Sequence, residues 1–198
     1  MPPRVTQVRT AADYPHDLGS DAARQQVDRM FARFSEMTGK VTGQYAAVTA
    51  VPTSFAQIFN VPRFGELMVE LTDYVVNELP WAKRLRLREL ALLALYERQR
   101  CDYAYRVHLR AGVAAGITEE QIADMPLYRT SEAFDDEERD VIEFTHGILD
   151  NLVSDELFGR LKARYGEQQV VEMTAVVSFW AFWGMMIGTL QPDYEPLG

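Results

Sequence analysis

Residues 84–116, RLRLRELALLALYERQRCDYAYRVHLRAGVAAG, bring together a carboxylate, Glu89, the only cysteine of the chain, Cys101, and one of its three histidines, His108. A carboxylate, a thiol and an imidazole are the groups from which proton transfer and nucleophilic catalysis are built. Glu89 stands in an otherwise apolar run. At about 100° per residue it shares a helical stripe with Leu85, Leu92, Leu93 and Tyr96. A carboxylate on that stripe is costly to bury unless it is paired. It is either a salt-bridge partner of Arg86 or Arg88 or a working group of a site, and the two roles are compatible. Desolvation would raise its pKa toward the range where a carboxylate exchanges protons at neutral pH.

Cys101 and His108 are seven residues apart, a spacing that differs by only about 20° around a helix. Tyr105 falls between them on the same face. Asp102 as an N-cap puts Cys101 at a helix N-terminus, where the helix dipole favours a thiolate. The structural alternative is a small buried residue plus a core histidine. Three ionisable groups converging on what should be core add weight to a site.

The elements that must position these groups read as helices throughout. Ser20 and Asp21 open a helix with Val27, Met30, Phe31, Phe34 and Met37 at helical spacing, ended by Gly39 and Gly43. Residues 44–52 read as a connection, and Ser54 starts a short helix ending near Asn60. Pro62 opens the next helix, whose expected apolar stripe is Phe64, Leu67, Met68, Leu71, Tyr74, Val75 and Leu79. After Pro80, helices are expected from about 82 to 98 and from about 102 to 115, with Gly116 as the C-cap. Thr118 with Gln121 and Asp135 with Glu138 are capping-box patterns, and Ser154 is a third N-cap. The last helix runs from about 167 to 190. No alternating strand pattern is present. The expected fold is all-α with about eight helices: an N-terminal arm over 1–19 and a single helical domain over 20–198.

With 198 residues, 47% of them apolar and 25% charged, the chain can bury a real core. A net charge of −9 argues against nucleic acid and against anionic membrane surfaces as partners. The run at 173–190, MTAVVSFWAFWGMMIGTL, reaches spanning length, but Glu172 abuts it and a buried helix is the better reading. One cysteine allows no intrachain disulfide, and the first residues have no apolar core of a signal peptide. Both suit a cytoplasmic protein. No metal-binding spacing and no glycine-rich phosphate loop is present, so neither a metal nor a cofactor is expected.

The stretch R-L-R-E-L-A at Arg86 to Ala91, the helix start Cys101 to Ala104, and His108 followed by small residues from Ala111 to Thr118 resemble the carboxymuconolactone decarboxylase and alkylhydroperoxidase D superfamily. The likeness is most specific over 80–125 and extends more loosely over about 55–190. It implies an alkylhydroperoxidase D-like helical domain and a homo-oligomer, commonly a trimer or hexamer, with pockets near subunit contacts. The hydroperoxidase branch uses a Cys-x-x-Cys pair. Here the second position is Ala104, so a disulfide cycle within one subunit cannot close. The decarboxylase branch needs no cysteine.

The resemblance therefore implies a cofactor-free lyase or isomerase acting on a small enolisable carboxylic acid or lactone, with His108, Glu89 and Cys101 as catalytic candidates. Tyr105, Arg88, Tyr103 and His146 are the expected substrate-binding residues. His146 also shares a helical face with Ile142, Leu149 and Val153, so a satisfied core histidine is its alternative. Two other readings stay open: a thiol-dependent hydroperoxide reductase, and a non-catalytic binding or assembly module. His16 belongs to the arm and is expected to be inert. Trp180 and Trp183 are expected in the core or at a subunit contact.

Overall fold

A computed structural model describes residues 3–14, 18–40 and 51–192. Among them the chain forms nine α-helices, three short 3-10 turns and no strand. The helices are α1 (Asp21–Lys40), α2 (Thr53–Ile58), α3 (Pro62–Asn77), α4 (Leu85–Gln99), α5 (Asp102–Ala114), α6 (Glu119–Ala123), α7 (Asp136–Asp150), α8 (Asp155–Tyr165) and α9 (Glu167–Leu190). His16, Gly43 and the connection at 44–50 lie outside the described residues. The chain divides into two compact units, one reaching Glu78 and resuming at Met186, the other spanning Leu79–Met185.

In the first unit α1 packs on α3. Val27, Met30, Phe34 and Met37 of α1 are buried. Phe34 meets the rings of Phe55 and Phe59 at 5.2 and 5.7 Å. Gly65 allows the close approach: a Cβ there would lie 2.5 Å from the Met30 sulfur. The expected stripe of α3 is corrected in part. Met68 and Val75 are buried, with Gly65, Val69 and Thr72 beside them, but Leu67, Leu71 and Tyr74 are 45%, 45% and 48% exposed. The helix carries two apolar stripes, and the one containing Gly65 can come closest to α1. Gly39 lies inside α1 rather than ending it. The N-terminal segment is tied down: Val8 N–H donates to the Ala56 carbonyl at 2.9 Å, and Arg9 to Thr53 Oγ1 at 3.1 Å.

In the second unit α4 is the central element, packed by α5 and α7. Every residue from Arg88 to Tyr96 is buried, as expected of a helix that is apolar nearly all round. It ends at Arg100, left-handed at φ 54°, with Cys101 N–H on the Tyr96 carbonyl at 3.0 Å. That bond runs back five residues and turns the chain directly into α5. Gly116, at φ 93°, ends α5, and Ile117 N–H returns to the Gly112 carbonyl at 2.9 Å. Both capping boxes and the Ser154 cap form as the sequence predicts. Glu172 on α9 accepts the Trp81 N–H at 2.9 Å, and Leu90, Leu93, Ile117, Met125, Phe134 and Ile142 make one apolar cluster. α9 is the one described helix long and apolar enough to cross a membrane by composition; 61% of its apolar window is buried within the protein.

Candidate active site

Glu89, on α4, is 1% exposed, and His108, on α5, is 3% exposed. His108 Nδ1 lies 2.8 Å from Glu89 Oε2. The other carboxylate oxygen accepts two bonds from Arg88, from Nε at 2.9 Å and Nη2 at 2.7 Å. Arg88 Nη1 donates to the Ala82 carbonyl at 3.1 Å. The carboxylate is thus gripped on both oxygens.

Gly112 makes the pairing possible. It lies one turn beyond His108, and a Cβ there would stand 3.0 Å from Ile117 Cδ1 and 3.2 Å from Leu93 Cδ1. Without a side chain at that point α5 approaches α4 closely enough for the imidazole to reach Glu89.

Burial is the strongest single influence on Glu89 and pushes its pKa up, as the sequence suggests. The His108 ring and the Arg88 guanidinium together outweigh it and hold the carboxyl below its ordinary value. The expected upward shift is therefore corrected: the pairing that solves the burial problem also keeps Glu89 ionised. An ionised Glu89 accepts a hydrogen bond from an Nδ1–H, which leaves Nε2 as the nitrogen to exchange protons with a bound molecule.

Two rings fix the imidazole. Tyr96 stacks on it, with centroids 5.3 Å apart and planes at 29°, and Trp180 of α9 meets it at 5.1 Å and 75°. Tyr96 OH donates to the Trp180 carbonyl at 3.3 Å. Gln99 Nε2 donates to the Ala181 carbonyl at 3.1 Å. The missing side chain of Gly184 leaves room for that amide, since a Cβ there would overlap Gln99 Oε1.

The other candidates are placed as follows. Cys101 is itself the N-cap of α5, with Asp102 the first helical residue, which corrects the expected cap. It adjoins the stack through its backbone bond to Tyr96. Cys101 is 7% exposed, and burial, aided by Asp102, pushes its pKa up against the opposing Ala104 N–H. The expected thiolate is not favoured there. Tyr105 packs against the apolar cluster of Leu90 and Leu93, and burial followed by the Glu97 charge raises its pKa. Tyr103 is buried in the first turn of α5.

His146 bonds to the Ala94 backbone and meets the Tyr128 ring at 5.4 Å. Burial, then the Arg98 charge, lowers its pKa. Neither Tyr105 nor His146 shares a bond or ring contact with Glu89 or His108 among the described residues. Arg86 bonds to Glu138, Gln121 and the Gly116 carbonyl, so Arg88 is the arginine that pairs with Glu89. No group of three His, Cys, Asp or Glu side chains among the described residues is arranged to hold a metal ion.

Residues 62–146 match the carboxymuconolactone decarboxylase family. Two solved structures share the fold, the ligand-free debrominase Bmp8 and a cysteine-to-alanine variant of it in complex with 2,3,4-tribromopyrrole. Each aligns with a TM-score of 0.62 at 13% identity, covering 89% of this chain and 90% or 89% of that one. No curated protein matches in sequence. The segment that matches the carboxymuconolactone decarboxylase family contains Arg88, Glu89, Cys101 and His108.

Proposed function

We propose that the protein is a cofactor-free lyase or isomerase that moves protons on a small enolisable carboxylic acid or lactone. The observation that carries this reading is the buried His108–Glu89 bond at 2.8 Å. In the decarboxylating version, the bond from carbon to the carboxylate of a β,γ-unsaturated lactone acid breaks. Its electron pair enters the extended enolate, and carbon dioxide leaves. His108 then delivers a proton from Nε2 to the terminal carbon, and the ring recovers one from solvent. Glu89 holds the proton on Nδ1 and steadies the charged ring; Arg88 keeps Glu89 ionised. Isomerisation uses the same two groups, with His108 first taking a proton from the substrate and then returning one.

The thiol-dependent reading has less support. Peroxide reduction consumes two electrons. A thiol pair supplies them by closing a disulfide. Here one cysteine is present, and burial disfavours its thiolate. The reading of the chain as a homo-oligomer remains part of this proposal; the exposed stripe of Leu67, Leu71 and Tyr74 on α3 is the surface such a contact would cover.

The test is turnover on unsaturated lactone acids, read as carbon dioxide release or as a change in conjugation. His108→Ala is expected to lower kcat by about 10²–10⁴-fold while the helical fold persists, and Cys101→Ser to stay within a few-fold. Unchanged turnover in His108→Ala would refute the assignment. Binding without turnover on every substrate tried would favour the non-catalytic module.

A further inference from the structure

Acid–base chemistry on an enolisable acid needs a donor for the oxygen that gains charge as the enolate forms. Arg88 is the natural candidate by residue type. It is already committed: Nε and Nη2 hold Glu89, and Nη1 holds the Ala82 carbonyl. Withdrawing it would strand a carboxylate that is 1% exposed.

A second side chain that carries a donor packs against the same imidazole. The Trp180 ring lies 5.1 Å from His108. Its Nε1 is buried and has no acceptor among the described residues. Buried indole N–H groups ordinarily find a partner. The ring is held in place, with Phe179 against it at 5.4 Å and its own carbonyl accepting the Tyr96 hydroxyl.

We propose that the Trp180 indole N–H is a substrate-binding group, and that it donates to the substrate oxygen that becomes the enolate while His108 handles the proton. This deepens the acid–base reading and rests on it. The chemistry suits an indole. It carries no charge, so it does not compete with Arg88 for Glu89. It is a donor only, so it selects an acceptor oxygen over a group that can only donate, such as an ammonium. Its bond strengthens as negative charge develops on the acceptor, which places the benefit in the transition state.

The experiment uses the full chain labelled with ¹⁵N and follows the indole N–H signals of its three tryptophans, the Trp180 signal being identified by its loss in Trp180→Phe. The probe is a saturated γ-lactone carboxylate, which cannot react. The Trp180 signal is expected to shift downfield saturably. Trp180→Phe is expected to weaken binding of the probe and to lower kcat on an unsaturated lactone acid, each by roughly tenfold, with the pH profile unmoved. His108→Ala separates the two ideas: it should remove turnover yet leave the Trp180 response. Retained turnover with a Trp180 response would sink the acid–base reading and leave the donor site standing. The proposal is overturned by a Trp180 signal that ignores the probe, whether or not other signals move, or by equal binding in Trp180→Phe.

Discussion

Arg88 shows how one side chain changes meaning between sequence and structure. Its residue type suggests a grip on a substrate carboxylate; its bonds make it the counter-ion of Glu89. The two roles predict different failures. Removing one partner of a buried ion pair costs about 3–5 kcal/mol, because the other charge is left uncompensated. Arg88→Met is therefore expected to lower stability by about that amount, read by chemical denaturation. An arginine reserved for substrate would instead raise KM and leave the denaturation midpoint in place. Cys101 is the complementary case. Burial favours its thiol over its thiolate, so alkylation by iodoacetamide at neutral pH should run well below the rate of an exposed cysteine in the same assay.

The α4–α5 pair is the element on which the site depends, and its geometry turns on Gly112. An added methyl would press on Ile117 and Leu93, both in or bordering the apolar cluster. Gly112→Ala is expected to cost about 1–3 kcal/mol through overpacking and to reduce turnover further by spreading Glu89 from His108. Gly159→Ala on α8, where nothing lies within 4 Å, is the control and should be neutral or slightly stabilising.

At this scale much was legible beforehand. The caps at Thr118, Asp135 and Ser154 and the proline at Pro62 act through their nearest neighbours, and each forms as read. The Glu89–His108 meeting could also be anticipated, because two consecutive helices carry both groups. The stripe that α3 buries depends on which face meets α1, and apolar periodicity does not distinguish two apolar faces. Arg100 ends α4 in a left-handed conformation without the glycine that usually marks it. Trp180 reaches His108 from far along the chain, and no local spacing encodes such a contact.

For the molecule as a whole, the shifted groups define a pH window of stability. His146 and Glu89 both have folded pKa values below their ordinary 6.5 and 4.5. Between the ordinary and the lowered value the unfolded chain binds more protons. Stability is therefore complete above the ordinary value and is lost as pH falls toward and through the folded one. Glu66 in the first unit, held by Arg63, follows the same rule below 4.5. Cys101 shifts the other way. Its folded pKa lies above 9.0, so the folded chain binds more protons there, and stability declines as pH rises past 9.0.

The melting temperature should accordingly hold a plateau from about pH 6.5 to about pH 9. A first decline should begin below 6.5, where burial and the Arg98 and Arg129 charges oppose protonation of His146. A steeper one should follow below 4.5, where carboxylates of both units lose their ion pairs. Scanning calorimetry across this range checks the shape, and His146→Gln isolates the first limb. If that variant kept the full slope between pH 6.5 and 5, the buried neutral imidazole would not be its source. Flattening of that limb alone, with the lower one intact, would assign it to the burial of His146 beside the Arg98 and Arg129 charges.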